Sequence, residues 1–125
     1  MSSSRRVYQI AEKIRNTIAV EVMRLADPRF NLVTITSAVV SPDLGQAKVY
    51  WVVGDKERIQ EIGEAFVSAS GILRKACGDA LGIRFTPALK FFYDDTLDAQ
   101  EEIDKLFAKV EAQRNGEGIK EDGEK

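Results

Sequence analysis

The chain predicts an α+β fold, with three helices on one face of a three-stranded mixed sheet, in the order helix, strand, strand, helix, kink, helix, strand. Three observations predict it. Apolar residues at helical spacing run from Val7 to Leu25; two runs of β-branched residues flank Ser41-Pro42-Asp43-Leu44-Gly45; and a second helical stretch, interrupted at Ala69-Ser70-Gly71, precedes a last apolar run at Ala88 to Tyr93.

Val7, Ala11, Ile14, Ile18, Val22 and Leu25 recur in steps of three or four, one stripe of a helix about five turns long. Asp27-Pro28 ends it, because proline disfavours helical geometry in the residue before it and brings no amide. The runs Leu32 to Val40 and Gln46 to Val53 then read as two strands of a hairpin. Alternation puts Val33, Ile35, Val39, Val49, Trp51 and Val53 on the buried face and Thr34, Thr36, Lys48 and Tyr50 on an open one.

Asp55 can cap the next helix, in which Ile59, Ile62, Ala65, Phe66 and Ala69 hold helical spacing up to the glycine. Ile72, Leu73, Ala76, Cys77, Ala80 and Leu81 resume the pattern, Gly82 stops it, and Pro87 introduces the third strand with Leu89, Phe91 and Tyr93 inward. A long helical crossover makes that strand parallel to its neighbour, with the first strand expected at the centre. A terminal amphipathic helix on Ile103, Leu106, Phe107 and Val110 begins near Thr96 or Asp98. Residues 1–112 thus form one domain, and 113–125, which hold little apolar character, are expected to be a disordered acidic tail.

Composition removes several classes. Of 125 residues, 44% are hydrophobic and 30% charged, which suits one globular domain. No apolar run reaches the ~20 residues of a membrane span, and the first residues lack a secretion signal, so a cytoplasmic protein without a membrane partner is expected. There is no histidine and one cysteine, which leaves neither an internal disulfide nor the usual zinc ligands. No metal or other cofactor is expected.

Catalysis is poorly supported, since neutral acid–base work favours histidine or carboxylates forced together. Asp94 and Asp95 are the one suggestive pair, but neighbours at a strand end point in opposite directions and read as a strand stop. Cys77 lies in the apolar phase of its helix and reads as an inert thiol. No catalytic residue is assigned.

The net charge of −2 conceals an asymmetry: Met1 to Tyr93 has 13 basic and 9 acidic residues, Asp94 to Lys125 has 5 and 11. A mildly basic body suits a phosphate-rich partner. Arg6, Lys13 and Arg24 fall within about 20° of one another around the first helix, a row that can follow phosphates or simply keep the helix soluble. Arg74 and Lys75 follow Gly71 where the start of a second short helix would favour an anion. Tyr50, Phe92 and Lys90 on the open face are read as strand formers rather than base-stacking groups.

The element order is that of the type II K-homology fold, in which the joint between paired helices meets nucleic acid. Asp27-Pro28-Arg29-Phe30, Val33-Thr34-Ile35-Thr36, Val40-Ser41-Pro42-Asp43-Leu44, Ala47-Lys48-Val49-Tyr50, Ala69-Ser70-Gly71 and Pro87 through Asp94 occur together in an order that resembles bacterial ribosome-binding factor A. The resemblance spans about Arg5 to Phe107. It implies a K-homology-like domain whose GxxG loop is replaced by an AxG kink, here Ala69-Ser70-Gly71. It also implies a late assembly factor for the small ribosomal subunit that binds ribosomal RNA near the decoding region and is linked to processing of the RNA's leading end and to cold adaptation. The shared pattern does not include the acidic tail, and Ala88 stands where the family often has glutamate.

The combined expectation is an RNA-binding, non-enzymatic monomer that grips RNA backbone through Arg5, Arg6, Lys13, Arg24 and Arg29 from the first helix region. Ser70, Gly71, Arg74, Lys75 and Arg84 complete the surface near the kink. Two alternatives stay open: a small regulatory domain that binds a metabolite, and a hydrolase that uses Asp94 or Asp95.

Overall fold

The computed structural model describes residues 2–119. Helix α1 spans Ser2–Arg24, β1 Thr34–Val40, β2 Gln46–Val52, α2 Ile59–Leu81, β3 Ala88–Tyr93 and α3 Thr96–Ile119, with short 3-10 turns at Pro28–Phe30 and Lys56–Arg58. One compact unit ends at Asp94, and α3 belongs to a second that begins at Asp95. The expected tail from 113 therefore overlaps the end of α3, and residues 120–125 lie outside the described residues.

The α1 stripe is buried as its spacing dictates: Ala11, Ile14, Ile18 and Val22 join the core, with Val7 and Leu25 packed against it, and Ile10, outside the predicted stripe, is buried beside them. After α1 the Asp27 carboxylate accepts the amide of Arg29, capping the Pro28–Phe30 turn that drops Phe30 into the core. Leu32 has φ of 65°, so the chain turns left-handed there and β1 starts at Thr34, two residues later than the β-branched run suggests.

The sheet is three-stranded and mixed, as expected, but its order is β1-β2-β3. β2, not β1, is central: β1 pairs with it antiparallel and β3 pairs with it parallel. The crossover delivers β3 to the edge of β2 that the hairpin leaves free. It is latched at both ends, the Ala88 amide donating to the Gly45 carbonyl at 2.9 Å and the Asp94 amide to the Trp51 carbonyl at 2.7 Å.

A second correction concerns β1. Its register shifts between Ile35 and Ser37, a bulge that reverses the alternation beyond it. Ile35 is buried as expected, but Val39 is 56% exposed and Val40 takes the buried position at 5%. On β2, Val49, Trp51 and the following Val53 are buried as predicted, and Ala47, not among the predicted residues, is buried too. Leu89, Phe91 and Tyr93 pack against the core.

The third correction is at the kink. α2 is one helix through Ala69-Ser70-Gly71, not two. The buried positions Ile62, Ala65, Phe66, Ala69, Leu73 and Cys77 keep one helical phase across the tripeptide, which a break would disrupt. Gly71 is not among the residues with positive φ, and the Ser70 hydroxyl donates to the Val67 carbonyl at 2.9 Å, a local bond that bends helices without breaking them. Gly82, at φ 62°, ends the helix as expected and donates its amide to the Gly78 carbonyl.

Phe66 is the centre of the core. Its ring lies 4.8 Å from Phe30, 5.5 Å from Trp51 and 4.6 Å from Phe91, the last stacked at 16°. Such clusters join α2, the Pro28–Phe30 turn, the central strand β2 and the edge strand β3, and truncating a buried phenylalanine of this kind costs about 3–5 kcal/mol.

Candidate nucleic-acid interface

Helices α1 and α2 carry most of the expected surface, with Arg29 in the turn after α1 and Arg84 in the loop before β3. On α2, Ala69 is buried at 8% and anchors the tripeptide, whereas Gly71 is exposed and a Cβ built on it meets nothing within 4 Å. Neither strain nor crowding requires glycine there. Its effect is to leave helix backbone bare to an approaching group.

Beside that bare turn, Ser70, Gly71 and Arg74 line a shallow hollow with Ala88 and Leu89 of β3, of roughly 280 Å³. Arg74 is held over it: its Nη2 donates to the Thr86 carbonyl at 2.8 Å. Lys75 is exposed and forms a loose pair with Asp79 at 3.4 Å. Because α2 does not restart at Gly71, the helix-start field expected at Arg74 and Lys75 is absent, and their attraction for phosphate comes from the side-chain charges alone. In the loop before β3, the Arg84 guanidinium lies 5.3 Å from the centre of the Phe85 ring, which is 75% exposed.

On α1, Arg5, Arg6, Lys13 and Arg24 are all exposed. Arg24 pairs with Glu21 at 3.3 Å, while Arg5, Arg6 and Lys13 have no carboxylate partner among the described residues. At 1.5 Å per residue Arg6 and Arg24 stand roughly 27 Å apart, so the row is a track rather than a pocket. Its far end approaches the tripeptide, where Leu25, Ala26 and Asp27 share a shallow hollow with Ala69 and Ile72. Arg29 is already engaged: its Nη2 and Nε reach the Asp27 carboxylate at 2.8 Å and 3.1 Å, which holds that carboxyl below the usual range.

Several residues that shape this surface carry no sequence signal. Arg58 donates to the carbonyls of Asn31 and Arg29, both at 2.9 Å, and fastens the Pro28–Phe30 turn to the start of α2. Gly78 is needed for close approach, since a Cβ there would sit 2.6 Å from Thr86 Oγ1. Contacts of this kind join positions far apart in sequence.

The alternative chemistries find little footing. The Thr36 hydroxyl donates to the Asp94 carboxylate at 2.6 Å, so Asp94 closes the sheet end. Cys77 is buried and its thiol pushed up to about 11 by that burial, which keeps it protonated and unreactive. Among the described residues no group of histidine, cysteine and carboxylates could hold a metal ion, and no helix is long and apolar enough to cross a membrane.

Helices on a three-stranded mixed sheet with this strand order define a K-homology-like α+β domain of the second type. Comparison with known proteins narrows that class. Residues 6–107 match the family model described as ribosome-binding factor A. Ribosome-binding factor A of Salinispora arenicola is 39% identical over 112 residues, 88% of this chain and 72% of that one. Its counterpart in Citrifermentans bemidjiense is 36% identical over 115 residues, covering 90% and 97%.

The chain belongs to the ribosome-binding factor A family, whose members are not enzymes. Its fold agrees with the crystal structure of ribosome-binding factor A from Thermus thermophilus, at a TM-score of 0.63 and 24% identity over 70% of this chain and 94% of that one. A homology model of the Thermus thermophilus factor, fitted into a cryo-EM map of a 30S–RbfA complex, gives a TM-score of 0.59 at 25% identity, covering 67% and 90%.

Proposed function

We propose that this chain binds the small ribosomal subunit through its ribosomal RNA late in assembly, as a cytoplasmic factor that is monomeric when free and uses no cofactor. The observation that carries the reading is the family match over residues 6–107, which takes in every cation of the candidate surface except Arg5. The Thermus factor fitted into the map of a 30S complex supports the choice of subunit.

In this reading Lys13 and Arg6 track RNA backbone along α1, with Arg5 before them and Arg24 and Arg29 at the far end. Ser70, Gly71, Arg74, Lys75 and Arg84 meet a second stretch of backbone beside α2. Phosphate contacts position, and shape selects the site. The factor holds one arrangement of immature RNA and leaves when the matured subunit no longer presents it, a population shift in which no bond is made or broken. A link to processing of the RNA's leading end and to growth in the cold is what the family resemblance implies for such a factor.

Co-sedimentation tests it. The protein is expected to pellet with purified small subunits in low salt and to be stripped as salt rises, because counterion release drives the contact. A protein that stays in the supernatant at low salt would overturn the reading.

A further inference from the structure

The open face of the sheet holds a group of residues outside the surface described above. Register pairing sets Lys48 of β2 beside Lys90 of β3, and Tyr50 beside Phe92. The two rings stand 5.8 Å apart, centre to centre, at 33°. Phe92 is 41% exposed, Tyr50 is half-buried, and both lysines are exposed. Val49 and Trp51, on either side of Tyr50, are buried in the core, and Phe91, between Lys90 and Phe92, packs against it, so the four side chains share the outer face.

Like charges on directly opposed positions repel, and a nearby carboxylate is the usual remedy. None is present. The outward register positions Gln46, Lys48, Tyr50, Ala88, Lys90 and Phe92 include no acid, and neither lysine has a carboxylate partner among the described residues. An anion from outside would relieve the repulsion. A protein partner fits poorly, because the buried centres of protein interfaces are depleted in lysine.

The sequence alone reads Tyr50, Phe92 and Lys90 as strand formers, but from their pairing on one exposed face we infer that this face is a stacking platform for a single-stranded stretch of RNA. An unpaired base lies on Tyr50 and Phe92, and the ammonium groups of Lys48 and Lys90, about 6.6 Å further along the strands, hold an adjoining phosphate. The inference rests on the reading of this chain as a ribosomal RNA binder and adds a second contact, specific for unpaired RNA. A duplex keeps its bases stacked inside and cannot use the rings.

Fluorescence anisotropy with a short fluorescein-labelled oligouridine and the full chain tests it. The wild type should bind at low salt, and a duplex should compete poorly. Tyr50→Leu and Phe92→Leu, which keep apolar bulk but remove the rings, should each weaken binding about 5-fold or more, with Trp51 emission reporting an intact fold. Lys48→Gln and Lys90→Gln should each reduce the salt slope by about 0.7. Oligouridine bound equally well by both leucine variants would overturn the inference. So would a wild type that pellets with small subunits yet ignores oligouridine at low salt. If the wild type does neither, the ribosomal reading falls with it.

Discussion

Arg74 reaches from α2 to the carbonyl of Thr86, 2.8 Å from its Nη2, and so ties the helix beyond Gly71 to the segment that leads into β3. The same guanidinium forms one wall of the hollow beside the bare turn. It therefore has two roles, a structural one inward and an electrostatic one outward, and substitutions must separate them.

Lys75 allows that separation. Its pair with Asp79 is exposed on both sides and contributes little to stability. Lys75→Glu should weaken binding to small subunits about tenfold in low salt and leave the thermal midpoint within a degree or two. Arg74→Glu should weaken binding similarly but also cost about 1 kcal/mol of stability through the lost hydrogen bond, seen as a lower melting midpoint. Unaltered binding in both variants would remove them from the surface.

The glycines of α2 give opposite expectations. Gly71 is helical and unobstructed, so Gly71→Ala should raise stability by roughly 0.5–1 kcal/mol while weakening subunit binding, because the new methyl covers bare backbone. Gly78→Ala should destabilise by about 1–3 kcal/mol, since its Cβ meets Thr86 Oγ1 at 2.6 Å. Adding Thr86→Ala should recover most of that loss. Denaturant melts of the three variants check the stability changes, and co-sedimentation of Gly71→Ala with small subunits checks the binding.

The order of elements was legible because it rests on local signals: the α1 stripe, β-branched runs, Pro28, Gly82 and Pro87. What failed was set elsewhere. The position of β2 at the sheet centre depends on which edge the crossover reaches, and the exposure of Val39 depends on a bulge that no residue type announces. Ala69-Ser70-Gly71 looked like a break because glycine is a poor helix former, yet the buried stripe on either side holds the helix together. Among the candidate cations, Arg5, Arg6 and Lys13 are exposed as expected, whereas the engagement of Arg29 with Asp27 and of Arg74 with Thr86 needed the fold.

Acid should loosen the turn after α1. The Asp27 carboxyl is held below its ordinary value by hydrogen bonds from the Arg29 side chain and then from the Arg29 amide. A lowered folded-state value means that its stabilisation is complete above the ordinary aspartate range and is lost as pH falls through the folded value. Thermal midpoints measured from about pH 6 down to about pH 3 should therefore fall less steeply in Asp27→Asn than in the wild type. Parallel curves would contradict the assignment.

The Cys77 thiol, pushed up to about 11 by burial in α2, should react slowly with a disulfide reagent near pH 8 in the native protein and rapidly in denaturant. Fast reaction without denaturant would mean that this part of α2 opens readily.

The central claim is that cationic side chains of α1 and α2 are what ribosomal RNA meets, and the salt dependence of affinity for purified small subunits tests it most directly. The wild type should show a linear fall of log affinity with log salt, and Arg6→Gln, Lys13→Gln and Lys75→Gln should each reduce that slope by close to one. A slope near zero, or one that all three substitutions leave unchanged, would contradict it.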